Sequence, residues 1–188
     1  DMAHTDLYLG WAMNPYFSGY AKATAIEKRR EKGMKVIIVD PKITPAVERL
    51  CDLYLRPYPG TDGALALCMG NILIENGWID AAYIEKYVHG FEEYKAYVKQ
   101  FNESNVEALT GVPYEQVLEA CRMIWESSSM CINENSAPIP HHKNGFQNYR
   151  AIMALLALTG NYDREGGQLL DLHSFTHQMA GFVTRDEE

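Results

Sequence analysis

Met34-Lys35-Val36-Ile37-Ile38-Val39 is an almost unbroken run of apolar, mostly β-branched residues. A run without polar alternation describes a strand covered on both faces, and such strands belong to parallel sheets flanked by helices. The flanking sequence agrees. Upstream, Ser18 to Lys32 places Ala21, Ala25, Ile26 and Arg29 at helical spacing and crowds Lys28, Arg29, Arg30 and Lys32 into its last turns before Gly33. Cations there complement the negative end of the helix dipole, and Gly33 suits a left-handed cap. Before that helix, Leu7-Tyr8-Leu9 forms a short apolar run ending in Gly10-Trp11-Ala12-Met13-Asn14-Pro15, a buried strand entering a turn. Strand, helix and strand in so short a span make a right-handed crossover.

A second unit follows. Thr44-Pro45 caps a short helix through Leu50, and Leu53-Tyr54-Leu55 is a third brief strand. Pro57 and Pro59 forbid helix in the next segment, so a helix starts at about Asp62 and carries Leu65, Leu67, Met69, Ile72 and Leu73. Trp78 to Val88, Phe91 to Phe101 and Tyr114 to Trp125 read as amphipathic helices, Met130 to Ile132 as a strand, and Tyr149 to Leu158 as a helix too apolar for the surface. The expected fold is one α/β domain over residues 1–168: a Rossmann-like parallel sheet with helices on both faces and a helical insertion at about 78–128. The segment from Asp163 onward is unpatterned, and 169–188 is expected to be a partly disordered tail.

Composition narrows the function. The chain has 188 residues, 47% hydrophobic, and 17 Lys+Arg against 25 Asp+Glu give a formal charge of −8. The absence of a dense basic block argues against extended nucleic-acid binding. No apolar run approaches the ~20 residues of a membrane span. Cys51, Cys68, Cys121 and Cys131 lack metal-finger spacing and read as reduced, buried thiols. The first residues, Asp1-Met2-Ala3, read as the continuation of something longer, which leaves the compartment open.

Ligands of open parallel sheets bind off the carboxyl ends of the strands, beside helix N-termini with free N–H groups. Three segments fall there: Trp11 to Pro15, Asp40 to Thr44, and Pro59 to Gly63. Asp40 suits a ribose diol or a turn before Pro41. Asp62 suits a helix cap or a base with two adjacent donors, such as guanine. Asn14 suits a phosphate or a turn before Pro15. Neither a G-x-G-x-x-G fingerprint nor a P-loop is present. His141 and His142 suit backbone hydrogen bonding or, for one of them, a cofactor contact. His173 and His177 have the i, i+4 spacing of zinc pairs but no third ligand. No nucleophile elbow or activated cysteine occurs, so catalytic and metal-ligating residues are expected to be absent from the chain.

Read together, Asp6-Leu7-Tyr8-Leu9-Gly10-Trp11-Ala12-Met13-Asn14-Pro15, Val39-Asp40-Pro41-Lys42-Ile43-Thr44 and Pro59-Gly60-Thr61-Asp62-Gly63-Ala64-Leu65 resemble the α/β core of molybdopterin oxidoreductases of the dimethyl-sulfoxide-reductase type. Asn144-Gly145 through Ala151 to Asn161 and Gly166-Gly167 resemble that family's next motif in the same order. The resemblance implies a region gripping the nucleotide end of a molybdenum or tungsten bis(molybdopterin guanine dinucleotide) cofactor. Ala12 and Asn14 would lie near the phosphates, and Asp40, Lys42 and Thr44 near the ribose or guanine. Gly60, Thr61 and Asp62 would lie around the base or sugar, with His142, Asn144 and Gly145 on the other side.

Three departures stand out. Ala12 replaces a usual glycine, Lys42 a usual arginine, and Glu134 to Pro140 lacks the usual glycines. The resemblance further implies that the iron–sulfur cysteines and the metal-ligating residue precede this region and that a second dinucleotide-binding domain follows it. The chain alone is therefore expected to hold no metal and turn over no substrate, its partners being the rest of the polypeptide and electron-transfer subunits. A nucleotide-binding module without redox role, or a subunit-interaction module presenting Tyr83, Tyr87, Tyr94 and Tyr97, are the alternatives.

Overall fold

The computed structural model describes residues 2–134, 139, 141 and 143–169. His142, the His173 and His177 pair, and the tail beyond residue 169 lie outside the described residues.

Four strands, β1 (Leu7–Trp11), β2 (Lys35–Val39), β3 (Leu53–Leu55) and β4 (Met130–Glu134), form one sheet in the order β3-β2-β1-β4, each neighbouring pair parallel. Leu9 stands opposite Ile37 on one side and Ile132 on the other. The helices described are α1 (Pro15–Ser18), α2 (Tyr20–Arg30), α3 (Pro45–Leu50), α4 (Asp62–Glu75), α5 (Ala81–Tyr87), α6 (Phe91–Val98), α7 (Val106–Thr110), α8 (Tyr114–Glu126) and α9 (Gly145–Leu158).

The two-residue period of the strands divides the core. Leu7, Leu9, Trp11, Ile37, Val39, Leu55, Met130 and Ile132 pack with Leu65, Met69, Val117, Ile124, Ile152 and Leu155 of α4, α8 and α9. Tyr8, Val36, Ile38 and Cys131 pack on the other face with Ile26 of α2 and Ala46 and Leu50 of α3. The continuous apolar run in β2 is thus a strand with both faces covered, each large side chain contributing about 1.5–3 kcal/mol on burial. All four carboxyl ends share one edge, and the strand order reverses between β1 and β4, which is where such sheets open a crevice.

Several expectations are corrected. The helix from Ser18 to Lys32 divides at Gly19, because Pro15 starts a separate turn, and α2 then buries Ala23 and Ile26 while Ala21 and Ala25 are exposed. The helix expected at Tyr149 begins at Gly145, since its first turn buries Gly145 and Asn148 rather than apolar side chains. The short α7 was not expected. Helix α8 gives Val117, Ala120, Cys121 and Ile124 to the main core, and α5 and α7 add Ile84 and Val106, so the helices expected as an insertion are packed into that core. After Asp163, where the sequence shows no pattern, the chain is held by hydrogen bonds: Asp163 N–H donates to Gln168 O at 2.9 Å and Thr5 Oγ1 donates to Gly166 O at 2.7 Å.

Candidate functional site

The carboxyl edge begins where β1 ends. Trp11 is fully buried, and its indole Nε1–H donates to Asp62 Oδ1 at 2.8 Å. A buried indole needs an acceptor for its N–H, and here the first residue of α4 supplies it. This corrects the capping role for Asp62: the cap position belongs to Thr61, whose hydroxyl donates to Tyr58 O at 2.7 Å, and α4 has no side-chain cap.

Ala12, next in the chain, donates its N–H to Val39 O at 2.8 Å and has a left-handed backbone with φ 51°. Glycine adopts that conformation without cost and alanine does not, which is the physical meaning of the departure at this position. Asn14 precedes α1 without capping it, and its Oδ1 is buried with no hydrogen-bond partner among the described residues.

At the end of β2, Asp40 Oδ1 accepts the Lys42 backbone N–H at 2.8 Å, and the Tyr54 hydroxyl donates to Asp40 O at 2.8 Å. Burial pushes the Asp40 carboxyl above the ordinary carboxylate range, and the Asp62 charge adds to this, against the opposing Lys42 N–H and ammonium. The Lys42 side chain is exposed. Thr44 caps α3, accepting from Val47 N–H at 3.5 Å.

Gly60 follows β3 with φ 86° and open space where a Cβ would stand. Helices α4 and α9 cross closely at Gly63, where a Cβ would collide with the Asn148 side-chain oxygen. That oxygen accepts from Asn144 Nδ2 at 3.3 Å. A cleft of about 690 Å³ opens beside this crossing, lined by Gly60, Thr61, Asn144, Asn148, Arg150 and Tyr97 among others.

The expected residues therefore fall into two neighbouring groups. Ala12 and Asn14 follow β1 and Asp40 follows β2, with Asp62 reaching Trp11 and acting on Asp40, whereas Gly60, Thr61 and Asn144 line the cleft and Gly145 is buried in the first turn of α9. Trp11 and Gly63 lay within the expected segments without a role of their own, and sequence reasoning left Asn148 and Arg150 out of the site. Only Trp11 carried a signal: an indole at the end of a buried strand requires an acceptor from elsewhere in the chain. Of the four tyrosines, Tyr94 packs its hydroxyl against Gly70 of α4, Tyr83 and Tyr87 pair at 4.9 Å, and Tyr87 and Tyr97 are exposed. Cys68, Cys121 and Cys131 are buried and free, burial pushing the Cys68 thiol up to about 12. His141 is exposed. Among the described residues no cluster of His, Cys, Asp or Glu could hold a metal ion, and no helix is long and apolar enough to cross a membrane.

The sequence profile described as Molybdopterin oxidoreductase matches residues 1–186. The chain belongs to that family. Among molybdopterin oxidoreductases and their kin it is 34% identical over 167 residues to "Probable oxidoreductase YoaE" of Bacillus subtilis (strain 168), covering 89% of this chain and 24% of that protein. It is 30% identical over 162 residues to formate dehydrogenase H of Escherichia coli (strain K12), covering 86% and 22%. The chain thus spans about a quarter of the length of these relatives. In structure it is similar to acetylene hydratase from Pelobacter acetylenicus, with a TM-score of 0.81 and 25% identity over 90% of this chain and 23% of that one. This molybdopterin oxidoreductase region is the α/β unit expected from the sequence.

Proposed function

We propose that the carboxyl edge of this sheet grips the nucleotide end of a molybdopterin guanine dinucleotide within a longer, molybdenum- or tungsten-dependent oxidoreductase. The observation that carries the reading is the unpartnered, buried Asn14 Oδ1 on the connection leaving β1, at the same end of the sheet as two carboxylates, Asp40 and Asp62, each with one oxygen already met by an N–H of this chain. An orphaned buried polar atom costs free energy unless a ligand meets it. The Asn14 amide offers an acceptor to a sugar hydroxyl and a donor to a phosphate oxygen. The remaining oxygens of Asp40 and Asp62 suit paired N–H or O–H donors, as a guanine edge or a ribose diol presents. The N-termini of α4 and α9 add free backbone N–H groups at the same edge, and Gly60 leaves room for close approach. The residues present therefore fit the nucleotide end of the cofactor.

When bound, the cofactor supplies the redox chemistry, and the protein supplies binding and orientation. Ala12, Lys42, Thr44, Thr61, Asn144 and Gly145 complete the surface in this reading. The iron–sulfur cluster and the metal ligand are assigned to the remaining polypeptide.

That polypeptide also covers the edge. Phe17, Ile43, Tyr58 and Phe146 are exposed by 83%, 63%, 58% and 67%, and each belongs to a β-to-α connection or the helix turn that follows it. Large apolar side chains exposed on the connections at one end of a sheet mark a surface that packs on something. Electron-transfer subunits are further partners in this reading; one relative, of Methanococcus maripaludis, is named F420-dependent formate dehydrogenase 2 subunit alpha.

Isothermal titration with GDP and ADP tests the proposal. Tighter binding of GDP supports it, and equal binding of the two, or none, overturns it.

A further inference from the structure

We propose that Trp11 is a positioning residue, whose indole N–H holds the Asp62 carboxylate in the orientation that receives a nucleotide. This rests on the reading of the carboxyl edge given above.

Trp11 ends a strand buried along its whole length, and its ring is locked among the side chains shared by β1, β2 and α4. Its one polar atom meets Asp62 Oδ1 at 2.8 Å. A neutral backbone carbonyl would satisfy an indole N–H at lower desolvation cost than a carboxylate does. The choice of acceptor has a second consequence. An acidic or hydroxyl side chain at a helix start ordinarily caps the free N–H groups of the first turn. Here Thr61 donates to Tyr58 O and Asp62 accepts from Trp11, so α4 begins with no side-chain cap. The chain forgoes a stabilising cap and spends the carboxylate on an immobile donor instead.

What that arrangement achieves is directional. A carboxylate at a helix start has free rotation about two bonds. With Oδ1 held by a fully buried ring, the rotation of the carboxylate is restricted and Oδ2 is left for another donor. Among the described residues no protein donor meets Oδ2. Asp40 is treated in the same way by different means, its Oδ1 taken by the Lys42 N–H at 2.8 Å. The two acids lie near enough for the Asp62 charge to raise the Asp40 pKa. Each thus offers one oriented oxygen to the same edge, a pre-organised pair for two ligand donors.

The test is a double-mutant cycle read by GDP titration of the 188-residue chain, with Trp11→Phe, Asp62→Asn and the double variant, alongside the thermal unfolding of each. If Trp11 acts through Asp62, Trp11→Phe weakens GDP binding about tenfold and adds less than twofold when Asp62 is already Asn. Unchanged GDP affinity in a less stable Trp11→Phe, or equal losses in both backgrounds, overturns the proposal while leaving the nucleotide reading in place. Absence of GDP binding by the wild type overturns the nucleotide reading and this proposal with it. A wild-type measurement guards against a variant that does not fold: the Trp11 indole ¹H–¹⁵N resonance, assigned by its loss in a chain lacking only that Trp or by through-space connectivity, shifts when GDP binds. GDP binding with that resonance unmoved also overturns the proposal.

Discussion

The Trp11 indole and the Asp62 carboxylate, 51 positions apart in the chain, are joined by a hydrogen bond of 2.8 Å. It ties the carboxyl end of β1, one of the two inner strands, to the first residue of α4, so the core and the candidate site share one contact. Asp62→Ala leaves a buried indole N–H without its acceptor. The expected cost is about 1–3 kcal/mol of unfolding free energy, measured by urea denaturation, with an unchanged dependence on denaturant concentration.

Ala12 holds φ at 51°, a conformation that penalises any residue with a Cβ. Ala12→Gly is expected to raise stability by about 1 kcal/mol. Thermal unfolding of the two chains checks it; a loss of stability would mean that the turn is not strained.

Gly63 and Asn148 mark the closest approach of α4 and α9. Gly63→Ala forces a methyl group into the Asn148 side chain and is expected to destabilise by about 1–3 kcal/mol. Adding Asn148→Ala removes the obstacle and recovers part of that loss, a non-additivity visible in denaturant unfolding.

Asp40 gives a pH signature. Its folded-state pKa is raised, first by burial and then by the Asp62 charge, so the native chain holds that proton more tightly than the unfolded chain. The contribution of Asp40 to stability therefore becomes more favourable as pH falls through its raised pKa, and less so as pH rises through it. Ligand donors need the ionised form, so nucleotide affinity moves the opposite way and weakens as pH falls through the same window. Asp40→Asn removes the stability term and flattens that part of both profiles, measured by thermal unfolding and by titration calorimetry.

Much of this was legible in the sequence, for identifiable reasons. The unalternated run from Met34 to Val39 required two covering layers, and the structure places α4, α8 and α9 on one face and α2 and α3 on the other. Thr44 before Pro45 marked the start of α3, and its cap is present. Boundaries failed where burial was not apolar: α9 opens on Gly145 and Asn148, which pattern reading takes for loop. Of the residues at helical spacing in α2, Ile26 is buried but Ala21 and Ala25 are not, because alanines at helical spacing do not reveal which side packs. At the site, local sequence suggested that Asp62 caps the helix it begins. The true partner, Trp11, comes from a different strand, and no local pattern encodes a contact made through the tertiary fold.

The measurement that bears most directly on the carboxyl edge as a nucleotide grip is a ¹H–¹⁵N correlation spectrum of the chain during titration with GDP. A nucleotide held at this edge gives saturable shifts at the amides of Ala12, Asn14, Lys42, Thr44, Gly60, Thr61 and Asp62, with α5 to α7 unmoved. Saturable shifts confined to α5, α6 and α7, or a spectrum unchanged at millimolar GDP, would contradict it.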